Sequence, residues 1–415
     1  MKLMYNKKRI IYADHSATTR VRAEVVEAML PLLTENFGNP SSIHAFGRKA
    51  SEYLNKSRNE IASVINAEED QIIFTSGGTE SNNTVIFGLV RLLEDGKIKN
   101  KEKHIITSKI EHPSVKEPLE YLEKKGWKIT WLDVDKEGFL DLNQLESFIS
   151  DKTLLVSVIH ANNEIGTIQS IGKISKVCRK HNVLFHTDSV QAFGKVPVNV
   201  KYMDMDFMSM SAHKIYGPKG VGALYIKSPE DFSSYLVGGG QENNLRSGTE
   251  SLPSIVGFAK AAKLMHSEMD ENVKKLRFLQ IKLMEGLEEL NDLVFTGVTL
   301  DKIKENYSEE KFLYRIPGHV SLCVKNVEGE TLVLQADLRG IACSSGSACK
   351  SRDKKESNFE PSHVLVALTV PEEFRNGSLR LTLGRENTEA DIEYIIKSVK
   401  DIVLMLNKQP SMSVK

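Results

Sequence analysis

Apolar runs alternate with small polar loops and amphipathic stretches through the first half of the chain, and this rhythm predicts the fold class. A strand is predicted at 10–12, a helix from about 23 to 33 and a second helix from about 47 to 65. Further strands read at 71–75, 104–108, 128–134, 154–160, 183–186 and 222–226, with another through Phe207 and Met210 that ends in Ser211-Ala212-His213-Lys214. Between them, helices are expected from Gly78-Thr79 to about Leu93, from His112-Pro113 to Lys125, and near 173–181. Strands alternating with helices imply a mostly parallel sheet covered on both faces. A long charged helical stretch at about 255–290 leads to an α+β segment with a strand at 320–324 and helices at 328–338 and 389–406.

A chain of 415 residues exceeds what one apolar core usually serves. We therefore expect a large α/β domain at 15–265 and a smaller α+β domain formed by 1–14 with 266–415. Lysine plus arginine (55) balances aspartate plus glutamate (55), which argues against nucleic acid or an anionic membrane as the main partner. No apolar run has the length of a membrane span, and the basic stretch before Ile10 lacks a signal-peptide core. Four cysteines are too few for a disulfide framework, so a cytoplasmic, reducing setting is expected.

In open α/β sheets ligands gather beyond the carboxyl ends of the strands. Five such ends carry Gly78-Thr79, His112, Asn163, Asp188 with Gln191, and Ser211 with His213 and Lys214. Singly, each has an ordinary explanation: a helix cap, a loop histidine, a lysine reaching out of a turn. Together they describe one ligand. Gly-Gly-Thr at a helix start suits a phosphate, a buried carboxylate needs a cation or a protonated ring nitrogen, and a desolvated lysine suits Schiff-base chemistry. Pyridoxal phosphate meets all three demands. No Gly-x-Gly-x-x-Gly follows the first strand and no Walker A pattern is present, which sets nucleotide sites aside. A second centre is the loop Cys343-Ser344-Ser345-Gly346-Ser347-Ala348-Cys349. Its spacing does not suit structural zinc. Cys178, Cys323 and Cys343 read as buried, inert thiols, whereas Cys349 has Lys350, Arg352, Lys354 and Lys355 as positive neighbours that favour a thiolate.

These stretches, with Asp14-His15-Ser16-Ala17-Thr18-Thr19, Phe37-Gly38-Asn39-Pro40, Arg246-Ser247-Gly248-Thr249 and Leu379-Arg380-Leu381-Thr382, occur in one order along nearly the whole chain. In that order the chain resembles the cysteine desulfurases of the NifS and IscS type, within the fold-type-I pyridoxal-phosphate enzymes. The resemblance implies that Lys214 holds the cofactor, Asp188 pairs with its ring nitrogen, His112 stacks on it and moves protons, and Gln191 bonds its phenolic oxygen. Asn163 would lie beside cofactor and substrate. Gly78, Thr79, Ser211 and His213 would hold the phosphate, joined by the partner subunit's Thr249 in a homodimer. Arg380, helped by Asn39, would grip the carboxylate of L-cysteine. Cys349 would take the sulfur as a persulfide and pass it to an acceptor, either an iron–sulfur scaffold or a tRNA-thiolation protein. No resident metal is implied, although Cys349 could ligate an iron–sulfur cluster in transit. One departure is the charged ten-residue insert Lys350 to Phe359, before Glu360-Pro361-Ser362-His363. It reads as a longer solvated loop or as a change in reach or partner choice. Selenocysteine as substrate, a transaminase or lyase of another amino acid, and a non-enzymatic sulfur-trafficking scaffold are the alternatives. The thiol loop and the presence of Lys214, Asp188 and Cys349 speak against the last two.

Overall fold

The computed structural model describes residues 10–305, 313–346 and 361–407. Its strands, in chain order, are β1 Ile11–Tyr12, β2 Ile72–Thr75, β3 His104–Ser108, β4 Lys128–Leu132, β5 Leu155–Ile159, β6 Leu184–Asp188, β7 Phe207–Ser211, β8 Gly222–Ile226, β9 Leu293–Phe295, β10 His319–Val324, β11 Ile341–Ala342 and β12 Ser378–Thr382. Seven of them form one sheet in the order β2-β8-β7-β6-β5-β3-β4. Only β8 runs antiparallel to its neighbours in it, so the ends of β2, β3, β5, β6 and β7 lie along one edge.

Helices cover both faces, and β2, β3, β5, β7 and β8 are buried along their whole length, whereas the edge strand β4 exposes Lys128. The polar residues inside this sheet are used up across it. His186 meets Ser157 Oγ at 2.8 Å through Nδ1 and Ser209 Oγ at 3.1 Å through Nε2. Burial pushes its imidazole down to about 3, so it is a neutral bridge between three strands.

A second, antiparallel sheet of order β12-β10-β9 lies in the C-terminal part, and β1 pairs with β11 in parallel, Ile11 opposite Ile341. Ile11 and Ala13 therefore share a core with Leu283, Val320, Leu381, Ile395 and Val399. A different core, around Phe185, Phe193, Met208 and Phe258, serves one face of the seven-stranded sheet.

Two expected helices are each divided, and the short helices Leu142–Phe148, Val200–Met203, Leu300–Glu305, His363–Ala367 and Glu372–Arg375 were not expected. The stretch read as one helix at 23–33 is two, Ala23–Met29 and Pro31–Thr34, with Pro31 at the first position of the second. The long stretch at 255–290 is also two, Leu252–Ser267 and Met269–Leu287. Glu268 between them leaves the helical region (φ −104°, ψ 7°), and its carboxylate accepts from both terminal nitrogens of Arg22 at 2.7 and 2.9 Å. Strands β9, β11 and β12 were not expected; β9 and β11, of three and two residues, carry too few positions to show a period.

Candidate active site

Lys214 closes a single 3₁₀ turn, Ala212–Lys214, directly after β7. Its Nζ donates to the carbonyls of Ser16 at 2.6 Å and Ala17 at 2.7 Å, which brings the Asp14–Thr19 turn over the sheet edge. Gln191 reaches the same carbonyl, Nε2 to Ser16 O at 2.9 Å, while its Oε1 accepts from Lys195 Nζ at 2.8 Å. Lys195 is pushed down to about 7, by burial first and then by the positive charges of Lys214 and Arg380. Both lysines line a cleft together with His15, Ser16, His319 and Thr382.

Asp188 ends β6, only 4 % exposed. Its Oδ2 accepts from Asn82 Nδ2 at 2.7 Å and its Oδ1 from Val190 N at 3.0 Å. Among the described residues no cation forms an ion pair with it, an expensive arrangement for a buried carboxylate unless a bound group supplies the positive charge. His112 caps the helix Pro113–Lys124, its Nδ1 accepting from Ser114 N at 3.1 Å. Burial lowers its pKa first of all; Asp188 opposes this and Lys214 adds to it. Next to it Glu111 points into the sheet, where burial pushes its carboxyl up to about 8.

The helix Gly78–Glu94 starts where β2 ends, and Gly77 takes φ 154°, a value that favours glycine. A Cβ on Gly78 would lie 2.4 Å from Val190 Cγ2, and one on Gly222 would lie 2.7 Å from Gly77 Cα. Helix start, Asp188 loop and β8 thus meet at a spacing that only glycines allow. The Ser211 hydroxyl lies beside Gly77, 4.0 Å from where a Cβ would stand, and Thr79 is exposed at the helix's first turn. His213 Nδ1 meets Thr18 Oγ1 at 3.2 Å, and burial, then Lys214, pushes its imidazole down to about 4. A helix start at a double-glycine turn with Thr79 on it and the Ser211 hydroxyl beside it, a lysine, and a buried carboxylate without a cation among the described residues together suit pyridoxal phosphate.

Arg380 sits in the middle of β12 with 6 % of its side chain exposed. Nη2 donates to Asp14 Oδ1 and Nη1 to Asn163 O, both at 3.1 Å, while Nε is buried without a partner. The other Asp14 oxygen accepts from Ser344 Oγ at 2.7 Å, and Arg380 N donates to Ser344 O at 2.7 Å. The segment leading to Cys349 is therefore rooted on the arginine's own strand. On the far side of that segment, Ser362 Oγ donates to Glu164 Oε2 at 2.5 Å. Cys349 and the insert 350–359 lie outside the described residues. The remaining cysteines, 178, 323 and 343, are buried, and burial pushes each thiol up to about 12.

Two expected residues stand apart. Asn39 is exposed and its Oδ1 accepts from Ser41 N at 2.9 Å, a local turn; no described hydrogen bond joins it to Arg380. Thr249 is exposed in a loop that Arg246 ties to Glu80 on the helix Gly78–Glu94, with Nε to Oε1 at 2.8 Å. Asn163 joins the site through its carbonyl, which accepts from Arg380 and His319. Sequence reading missed Asn82, Ser114, Lys195 and the pairing of Asp14 with Arg380. Asn82 stands in the polar first turns of its helix, Thr79 to Thr84, where the sequence gives no sign that it is buried.

A model of the aminotransferase class-V family matches residues 11–395. A cysteine desulfurase IscS of Dictyoglomus turgidum is 45% identical over 396 residues, covering 95% of each chain. One from Methanosarcina thermophila is 43% identical over 409 residues, covering 99% of this chain and 96% of its own. Among solved structures, a NifS-like protein superposes with a TM-score of 0.84 at 34% identity, covering 97% of this chain and 100% of its own.

Proposed function

The chain belongs to the aminotransferase class-V family, and from that footing we propose that it acts as its whole-length relatives are named to, as a cysteine desulfurase. L-cysteine loses its sulfur and leaves as L-alanine, and the sulfur is carried as a persulfide on Cys349. One observation carries this reading. Lys214, Asp188 (without a cation among the described residues) and His112 meet at one sheet edge, and Arg380 reaches that edge from the strand to which Ser344, ahead of Cys349, is bonded.

Pyridoxal phosphate, when bound, supplies the electron sink that makes bonds at the substrate's Cα labile. Lys214 would anchor it and afterwards offer an amine to carry a proton; Asp188 would pair with the protonated ring nitrogen, and Gln191 would bond the phenolic oxygen. Gly78, Thr79, Ser211 and His213 would hold the phosphate, joined by the partner subunit's Thr249 in a homodimer. The exposed apolar residues Leu236 and Val237, in the same loop as Thr249, support that assembly. Arg380 would take the substrate carboxylate, helped by Asn39 as the resemblance implies; the unpartnered Nε supports the arginine's role. Cys349 would attack the substrate's sulfur, the new S–S bond forming as the Cβ–S bond breaks and its electron pair passes to the substrate carbon, and the persulfide would then be handed to the acceptor. The acceptor is an iron–sulfur scaffold or a tRNA-thiolation protein, in the cytoplasm. Among the described residues no helix is long and apolar enough to cross a membrane. The division into 15–265 and 1–14 with 266–415 is supported by the β1–β11 pairing and by the separate cores.

The test is Cys349→Ser. The wild-type protein with L-cysteine and dithiothreitol should release sulfide and alanine in equal amounts. The variant should keep the visible band of the bound cofactor and lose sulfide release. Sulfide made by the variant at the wild-type rate would refute the assignment.

A further inference from the structure

Asn82 lies in the second turn of the helix Gly78–Glu94 and has no exposed surface. Both protons of its amide are spent: Nδ2 donates to Asp188 Oδ2 at 2.7 Å and to Ser114 Oγ at 2.8 Å. The amide cannot be turned over, because a carboxylate only accepts and the amide oxygen would then face it. Its oxygen, Oδ1, is left buried without a partner. Ser114 Oγ, accepting from Asn82, still has its own proton to give, and His112 Nδ1 lies 2.8 Å away. The Ser114 backbone N–H points at the same nitrogen from 3.1 Å. Two donors thus converge on one ring nitrogen, and a proton there would have to displace both. The single proton of the neutral ring is left on Nε2.

We propose that Asn82 and Ser114 are positioning residues that hold His112 as a neutral imidazole protonated at Nε2 and tie its orientation to Asp188. The proposal rests on the reading that His112 works at the cofactor face, and it deepens that reading. Through Nε2 the ring then offers a hydrogen-bond donor, and it takes up a second proton only against its surroundings. A neutral histidine donor at a helix N-terminus is an arrangement that enzymes use elsewhere to polarise a bound group. The charged groups facing the ring are Asp188, joined to it through Asn82, and Lys214 from the end of β7. On its own segment Glu111 turns its carboxyl away, to Ile159 N at 2.9 Å.

The experiment is a titration of ring-¹⁵N-histidine-labelled, full-length protein, with and without added pyridoxal phosphate, followed by NMR. His112 is assigned by its loss in His112→Gln. In the wild type the His112 Nδ1 should resonate as an unprotonated nitrogen and Nε2 as a protonated one at neutral pH. Ser114→Ala removes the hydroxyl but keeps the backbone donor. It should raise the His112 midpoint by up to about one pH unit, the worth of one neutral hydrogen bond. Ser114→Thr should restore it, and the acid limb of the kcat profile should move with the midpoint. A protonated Nδ1 in the wild type, or a midpoint unmoved by Ser114→Ala, overturns the proposal. A different result, wild-type kcat in His112→Gln with the ring signals as expected, would leave the relay standing and remove His112 from the reaction.

Discussion

Glu111 offers the sharpest test of how this site manages charge. It is 1 % exposed, its Oε1 accepts from Ser108 Oγ and from Ile159 N at 2.9 Å, and its Oε2 is buried without a partner. Burial raises its pKa from 4.5 to about 8, the two hydrogen bonds opposing and the Asp188 charge adding to the rise. At neutral pH the carboxyl is therefore mostly protonated, which spares Asp188 and His112 a second negative charge close by. Glutamine has the same shape and the same acceptor at Oε1, and it places its N–H where the acid places its O–H, so Glu111→Gln is the clean perturbation.

The sign follows from proton linkage. The folded state holds the Glu111 proton more tightly than the unfolded chain does. The stability it confers is full below pH 4.5 and is lost as pH rises towards 8. The variant has no such proton. Between pH 5 and 8 the wild type should lose about 3–4 kcal/mol relative to Glu111→Gln, from about 1.4 kcal/mol per pKa unit across that window. Urea unfolding of both proteins across that range measures the difference, because every other group titrates alike in the two and cancels. Unfolding profiles that stay parallel from pH 5 to 8 would refute the reasoning and show Glu111 ionised like a surface carboxylate. The kcat of the variant at pH 7 should stay within a few-fold of wild type, since the substitution reproduces the protonation state that operates there.

Two further substitutions probe the anion-binding parts. Arg380→Lys replaces a fork that spans Asp14 and Asn163 by a single ammonium and removes the unpartnered Nε–H. The KM for L-cysteine should rise roughly 10- to 100-fold, the worth of a charge-assisted hydrogen bond, with the cofactor's visible band unchanged; a KM within two-fold of wild type would remove Arg380 from the carboxylate site. Gly78→Ala drives a Cβ to 2.4 Å from Val190 Cγ2, on a β-branched side chain that turns with difficulty. Cofactor retention on dialysis should fall by about ten-fold or more, by order of magnitude for a clash of 1–3 kcal/mol, and the added change Val190→Ala should recover much of it. Retention equal to wild type in the single variant would show that the helix start does not hold the phosphate.

What the sequence showed and what it hid divide along sequence distance. The sheet edge was legible because strand polarity alone places Gly78, His112, Asn163, Asp188 and Lys214 together; each lies within a few residues of its strand end, and no side-chain packing need be known. The Asn82–Ser114 relay was not, since its two residues are 32 apart and meet only when the helices Gly78–Glu94 and Pro113–Lys124 pack against each other. The same holds for Asp14 and Arg380, 366 apart and joined by the docking of the N-terminal segment onto β12. Asn39 shows the converse: its motif is plain in the sequence, yet the described structure spends its side chain on a turn two residues away. A motif records which residues a site keeps, whereas the hydrogen bonds record what each one has left to offer a ligand. By that measure, the Arg380 Nε still has a proton to give, the Asn82 Oδ1 has a lone pair unclaimed, and Asp188 accepts only from neutral groups. Residues with capacity left over in a buried site are the ones a ligand must satisfy. On that argument we propose that Arg380 and Asp188 receive the charged ends of what binds here, while Asn82, with both donors committed within the protein, serves as a strut.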